Sequence, residues 1–128
     1  MKRARMTGQA ATRHRWRREL KTLWYHLRLA QPLLTGVAPL IAGLRRLQAA
    51  LGNDHNLIVL EATLRGCPEL RSMGAEIRHI GRLGGRMRKP LGRRAFELGR
   101  RIHTRKPAAF VKWLGASLKQ RRSRRRAA

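Results

Sequence analysis

Acidic residues are scarce in this chain. Its 128 residues include 6 Asp and Glu against 31 Lys and Arg, which gives a formal net charge of +25. An excess of this size repels itself in a compact state and favours polyanions as partners. The few acids are also nowhere spaced as a catalytic carboxylate pair or as a holder for Mg²⁺. The sequence therefore favours binding over catalysis, and we expect a protein that is not an enzyme.

Cysteine and long apolar runs are scarce as well. Cys67 is the one cysteine, so no intramolecular disulfide can form. The longest uncharged run, residues 29–44, is too short to span a bilayer and contains proline and glycine. The histidines form no i, i+4 pair typical of a zinc helix, and no glycine-rich phosphate or dinucleotide motif occurs. We therefore expect a soluble, cytoplasmic protein with no metal and no cofactor.

Apolar residues recur at helical spacing along most of the chain, and no segment alternates with the period of a strand. With 42% hydrophobic residues, the chain can build one small core. The pattern predicts an all-α fold, an antiparallel bundle of about five to six helices over residues 12–120. We expect residues 1–11 to form a flexible basic arm and residues 121–128 a disordered Arg-rich tail.

Proline and glycine set the expected helix ends. The first helix should begin near Thr12 and end at Pro32. Gly52 should close the second helix, and Asn53 or Asp54 should cap the start of a third. Further breaks are expected at three proline-containing sites, Gly66–Pro68, Lys89–Pro90 and Lys106–Pro107. These breaks are the origin of the expected helix count.

The stretch from Arg13 to Arg28 predicts one helix with an apolar face and a cationic face. The apolar face consists of Trp16, Leu20, Leu23 and Leu27. The cationic face consists of His14, Arg17, Arg18, Lys21, Tyr25 and Arg28. Cations this close repel one another without a partner, and arginine binds phosphate oxygens through its planar fork. The strip is either a solvated face or an anion-binding site.

Basic stripes recur on later helices. One consists of Arg71, Arg78, Arg82 and Arg86, and the next of Arg94, Glu97, Arg101 and Arg105. The repetition, together with the shortage of acids, favours a shared anion groove over separate solvated faces. We therefore include Arg78 and Arg82 among the candidate binding residues.

Three motifs, in this order, resemble the CHAD family, the conserved-histidine α-helical domain. The first is His14-x-x-Arg17-Arg18-x-x-Lys21, followed by Tyr25. The second is Leu47-Gln48-x-x-Leu51-Gly52-Asn53-Asp54-His55-Asn56-Leu57, and the third combines Leu98-Gly99-Arg100-Arg101-Ile102 with Lys106-Pro107-Ala108-Ala109-Phe110. Together they cover about residues 12–120.

The resemblance implies a helical bundle that binds inorganic polyphosphate through basic residues facing a groove or pore, and that can localise to polyphosphate granules. Carried over by position, the first-line ligands would be His14, Arg17, Arg18 and Lys21. Weaker candidates would be Tyr25, His55 and Lys106, and Arg28 joins them from the cationic face.

The chain also departs from the family pattern. CHAD domains usually contain two facing bundles, whereas this chain resembles the second bundle only, a half-domain. The alternatives are a fragment, a divergent half, or a protomer whose homodimer rebuilds the pore. Trp24 stands where the resemblance leads us to expect arginine, and Asn56 stands where aspartate is usual. The Glu-x-Glu motif of the triphosphate-tunnel domain that often accompanies CHAD domains does not occur, so that activity is not implied.

The sequence thus supports a hypothesis and a rival. The hypothesis is non-enzymatic binding of inorganic polyphosphate through basic helix faces. The rival is a basic helical protein that binds nucleic acid with the same surface. Against the rival, Trp16 and Trp24 are expected in the core rather than on a stacking platform, and no helix–turn–helix pattern occurs.

Overall fold

A computed structural model describes the backbone of residues 2–126 and the side chains of residues 12–123. The described chain contains four α-helices, α1 (Lys2–Ala30), α2 (Ala38–Gly66), α3 (Gly74–Ile102) and α4 (Pro107–Arg126). Two short 3₁₀ segments, Gln31–Leu33 and Pro68–Met73, lie in the first two connections. No strand occurs within residues 2–126, so the all-α prediction is confirmed, but four helices replace the expected five to six.

The expected break at Gly52 is wrong, because α2 runs through it without interruption. A glycine inside a helix costs only about 1 kcal/mol relative to alanine, which packing on both flanks can offset. Asp54 does not cap a helix start either. Its side chain is buried, with the residue 4% exposed, and accepts hydrogen bonds from Arg13 and Arg88.

The expected break at Pro90 is also wrong, because Pro90 lies inside α3. Proline lacks an N–H and costs a helix interior about 3 kcal/mol. The buried residues Ile77 and Ala95 lie on either side of it and anchor both halves of α3 in the molecule. Arg88, two positions before the proline, is tied to Asp54 of α2. Tertiary contacts on both sides of Pro90 therefore keep the helix in one piece.

The first three helices pack in an up-down-up arrangement. The start of α1 contacts the second half of α2 through Arg13 and Asp54. The start of α2 contacts the end of α3, where Gly43 lies against Ile102. Neighbouring helices along the chain therefore run antiparallel. The core between them consists of Leu20, Leu27, Leu44, Leu47, Ala50, Leu51 and Ala95.

A glycine on α3 permits the close approach of α1. A Cβ atom added at Gly99 would lie 2.8 Å from Cζ2 of Trp16, well inside ordinary contact distance. Trp16 also packs against the buried core. The absence of a side chain at Gly99 therefore makes room for the indole ring between α1 and α3.

The fourth helix is joined to the α1–α2 connection by hydrogen bonds of two hydroxyls, those of Ser117 and Thr35. Ser117 is buried, and its Oγ accepts a hydrogen bond from the Thr35 backbone N–H at 2.7 Å and donates to the Thr35 carbonyl. The Thr35 hydroxyl in turn donates to Oε1 of Gln120 at 2.9 Å. Gly36, at φ +71°, turns the chain directly after Thr35 into α2. The α1–α2 connection thus serves as the docking site of α4.

The α2–α3 connection holds the one cysteine. The thiol of Cys67 donates a hydrogen bond to Oε2 of Glu69 at 2.9 Å. That bond, and then a backbone hydrogen bond at Glu69, lower the pKa of the Glu69 carboxyl from its ordinary value. Cys67 therefore has a local structural partner.

The predicted arm, residues 1–11, and the predicted tail, residues 121–128, lie at the ends of α1 and α4. The backbone is helical from Lys2 and as far as Arg126. Met1, Ala127 and Ala128 lie outside the described residues. The division into arm, bundle and tail, and the independent movement of either end, stay predictions.

Candidate functional site

Asp54 fixes the position of α1 beside α2. Its Oδ2 accepts a hydrogen bond from Nη1 of Arg13 at 3.1 Å, and its Oδ1 accepts one from Nε of Arg88 at 2.9 Å. The carboxylate side chain is only 5% exposed. Charge-assisted bonds of this kind are short and geometrically specific. One carboxylate therefore joins α1, α2 and α3 at the level of the predicted histidines.

The predicted site residues His14, Arg17 and His55 come together next to this ion-pair cluster. Their side chains line one small cavity between α1 and α2, and the centroids of the two imidazole rings lie 5.7 Å apart. The cavity is about 20 Å³, which is enough for about one water-sized group. Imidazole and guanidinium N–H groups are hydrogen-bond donors. The arrangement suits a single oxygen of an anionic group.

A wider cavity lies between the same two helices at their other end. It measures about 570 Å³ and is lined by Arg28 of α1, by Gln31 of the following 3₁₀ segment, and by Arg45 and Arg46 of α2. Trp24 lines it too, and the guanidinium carbon of Arg28 lies 5.1 Å from the centroid of the indole ring. A cation over an indole face is attracted by the ring quadrupole. Trp24 therefore supports Arg28 at this end.

One row of α1 connects the two cavities. Arg17, Lys21, Trp24 and Arg28 follow one another at spacings of four, three and four, which places them on one side of the helix. The Nζ of Lys21 lies 5.8 Å from the ring centroid of Tyr25, which is 54% exposed. We call the two cavities, together with the row of α1 that joins them, the α1/α2 groove. Its rim consists of His14, Arg17, Lys21, Tyr25 and Arg28 from α1 and Arg45, Arg46 and His55 from α2.

The groove rim is cationic and lacks matching acids. Among the described side chains, ion pairs involve Arg13, Arg15, Arg65 and Arg88, none of which lies on the rim. The carboxylate of Asp54 lines the small cavity beside His14, Arg17 and His55, and it is already bound to two arginines, Arg13 and Arg88. Within the described residues the rim cations thus lack a carboxylate partner, and their charge is available to an anion.

Six predicted site residues line neither cavity: Lys21 and Tyr25 of the rim, and four more that lie away from the groove. Arg18 is exposed on α1. Arg78 and Arg82 are exposed on α3 and flank Gly81, which lies against the Glu61 side chain. Lys106 is exposed in the connection between α3 and α4. Within the described part of the chain, no cavity or contact joins these residues to His14, and their role in binding stays a prediction.

Sequence reasoning missed two arginines of the rim and two beneath it. Arg45 and Arg46 line the wider cavity from the first half of α2, and His55 lines the small cavity from its second half. The break expected at Gly52 placed these residues on two separate helices, so the sequence pattern offered no reason to group them. The sequence offered no comparable signal for Arg13 and Arg88, because their shared partner, Asp54, is distant along the chain.

Metal-ligating clusters and membrane-spanning helices are both absent from the described residues. No group of three or more His, Cys, Asp or Glu side chains is placed there to hold a metal ion. None of the helices in that part of the chain is long and apolar enough to cross a bilayer.

Comparison with known protein families finds a match for the two helices that form the groove. No curated protein and no solved structure matches the chain. The family model of the CHAD domain matches residues 1–65, which include the first two sequence motifs and nearly all of α1 and α2. The third motif, from Leu98 to Phe110, lies outside the match. CHAD domains are associated in general with polyphosphate binding. Because the matched residues make up half of the chain and supply both walls of the cationic groove, the chain belongs to the CHAD domain family.

Proposed function

We propose that the protein binds inorganic polyphosphate along the α1/α2 groove and does not hydrolyse it. One observation carries the proposal: the rim cations of α1 and α2 lie at two cavities between these helices and along the row of α1 that joins them, and among the described residues none of these cations has a carboxylate partner. Polyphosphate is a chain of repeated negative charges, so it can meet such cations in succession. Membership of a family associated with polyphosphate binding supports the same ligand.

Binding would proceed by exchange of counterions. Each guanidinium or ammonium group on the rim replaces a small cation along the polymer, and the released ions gain entropy. The small cavity lined by His14 and His55 would accept one phosphate oxygen. The wider end, with Arg28 and Arg45, would take whole phosphate groups through bidentate contacts. Association with polyphosphate granules would follow from the same binding.

The test is calorimetric titration with long-chain polyphosphate at about physiological ionic strength. Lys21→Ala and Arg45→Ala should each weaken binding by roughly tenfold, the loss of one charge-assisted contact. Arg122→Ala, on the exposed end of α4, is the matched control and should change affinity less than about twofold. Equal losses of affinity at all three positions would mean that the overall positive charge of the surface holds polyphosphate, and would contradict binding in a groove.

Two further measurements separate the competing functions. Duplex DNA or RNA should fail to displace polyphosphate at equal phosphate concentration, and efficient displacement would favour nucleic acid as the ligand. Incubation with polyphosphate or a triphosphate should release no phosphate. Release that is lost on substitution of His14 or Glu97 would instead establish an enzyme.

A further inference from the structure

A second large cavity lies outside the α1/α2 groove. It measures about 660 Å³ and is formed by the first half of α2, the end of α3 and the start of α4. No residue of α1 lines it, and Arg46 is the one rim residue that it shares with the groove. Its volume falls within the roughly 300–1,000 Å³ typical of small-molecule pockets. It is therefore large enough for a ligand of its own.

The polar lining of this cavity is suited to phosphate groups. Arg46, Arg94 and Arg101 line it, and none of them has a carboxylate partner among the described residues. Glu97 also lines it, and its carboxylate has no ion pair within the same part of the chain. Three guanidinium groups can each grip phosphate oxygens, and the one carboxylate is available to accept a hydrogen bond from a neutral N–H or O–H donor.

Another part of the lining offers an aromatic ring and aliphatic side chains, which an inorganic phosphate chain would not use. The guanidinium carbon of Arg105 lies 4.9 Å from the ring centroid of Trp113, so that cation and indole form a stacked pair at the cavity wall. Leu98 and Ile102 continue the wall. Nucleobases stack on aromatic rings and on arginine guanidinium planes. The cavity thus combines an anion-binding side with a surface for a planar ring.

We infer that this cavity binds a nucleoside polyphosphate. The base lies against the stacked pair of Arg105 and Trp113, and Glu97 accepts a hydrogen bond from an amino or hydroxyl group of the nucleoside. The phosphates lie among Arg46, Arg94 and Arg101. The inference does not depend on the polyphosphate groove, because α1 contributes nothing to this cavity.

The experiment compares ATP with inorganic tripolyphosphate by calorimetric titration of the full chain, in the absence of added divalent metal. ATP should bind at least about tenfold more tightly than tripolyphosphate, because only ATP has a base that can lie against Arg105 and Trp113. Equal affinities would overturn the nucleoside assignment and leave a plain phosphate site. The groove variant Lys21→Ala should leave ATP affinity unchanged, so failure of the polyphosphate proposal and failure of this one are distinguishable.

Two variants locate the ATP site. The double substitution Arg94→Ala/Arg101→Ala should weaken ATP binding by at least about tenfold. The matched control Arg121→Ala/Arg122→Ala removes the same charge from an exposed part of α4 and should change it less than about twofold. Equal losses in the two variants would overturn the site.

A conservative variant tests the stacked pair. Arg105→Lys retains the positive charge and loses the planar guanidinium. It should reduce ATP affinity by roughly tenfold while tripolyphosphate affinity stays within about twofold. An unchanged preference for ATP over tripolyphosphate would overturn the role of Arg105 and Trp113 as the base platform. Far-ultraviolet circular dichroism of each variant verifies that the helices are retained.

Discussion

Asp54 lies in the interior of α2, where a carboxylate gains nothing from the helix end. The buried carboxylate is stabilised instead by Arg13 and Arg88, which approach from α1 and α3. The sequence motif correctly marks this position as unusual but suggests helix capping, since Asp is common at caps. Only the packing of three helices shows that the side chain serves as their common anion.

Asp54→Asn should lower the free energy of unfolding by about 2 kcal/mol. The substitution leaves two guanidinium groups close together without their counterion, and breaking a buried pair is costly, although Arg13 and Arg88 keep some contact with solvent. Urea denaturation followed by circular dichroism measures the change.

The matched control for this prediction is Glu19→Gln. Glu19 pairs with Arg15 at 3.9 Å on the surface of α1, with both side chains about two-thirds exposed or more. Exposed pairs contribute little, so the change should stay below about 0.5 kcal/mol. A loss at Glu19 as large as that at Asp54 would show that net charge, and not the buried cluster, sets stability.

At the scale of helices, the sequence predicts the class correctly but adds two breaks that the structure lacks. The apolar periodicity identifies helical segments throughout, and the first connection lies at Pro32 as expected. Local propensity disfavours Gly52 and Pro90 inside helices and therefore predicts a break at each. Burial of Leu51, Asp54, Ala95 and Gly99 beside them outweighs that local cost, and no single-chain pattern reports such burial.

Gly52→Ala should raise the free energy of unfolding by about 0.5–1 kcal/mol. The position is inside α2, its φ is not in the left-handed region, and an added Cβ meets no atom within 4 Å. Alanine restricts the unfolded chain more than glycine does and suits a helix interior. Thermal denaturation measures the change.

Gly99→Ala is the opposing control on α3. Its Cβ would lie 2.8 Å from Cζ2 and 2.9 Å from Cη2 of Trp16, so the indole ring or the helix must move. Overpacking of this kind costs about 1–3 kcal/mol. Stabilisation by both substitutions would contradict the close packing of α1 on α3.

Ser117→Ala should loosen α4 from the rest of the bundle. It removes the hydroxyl that bonds both backbone groups of Thr35 and leaves those groups without that partner, at a cost of about 1–3 kcal/mol. Hydrogen exchange should accelerate in α4 more than in α2. Ser123→Ala, in the same helix, removes only an exposed bond to the Lys119 carbonyl and should have no such effect.

At the scale of the whole molecule, the net charge of +25 is the feature of the sequence that most clearly indicates function. Part of the candidate site was also accessible from spacing, since His14, Arg17, Lys21 and Arg28 lie on one side of one helix. The contribution of Arg45 required the continuous α2, and the second cavity required α3 and α4 to be placed against α2. Neither depends on local sequence.

Polyphosphate affinity should fall steeply with salt. Raising the salt concentration from about 50 mM to about 200 mM should weaken binding by roughly a hundredfold or more, because several rim cations displace counterions together. In Arg45→Ala the slope of log K against log salt should fall by about one, and in Arg122→Ala it should stay the same. A slope that is insensitive to Arg45 would remove that residue from the contact.

The continuity of α2 also fixes a length. Arg45 and His55 lie on one uninterrupted helix, so at about 1.5 Å of rise per residue they are held about 15 Å apart along its axis. A break at Gly52 would let the two halves of α2 move independently. The continuous helix instead keeps the distance between Arg45 and His55 fixed. In the proposed binding, an anion shorter than about 15 Å would occupy one end and leave the other empty, whereas a longer one would span both. Selection by length would then be set by the rise of the helix and by no single contact.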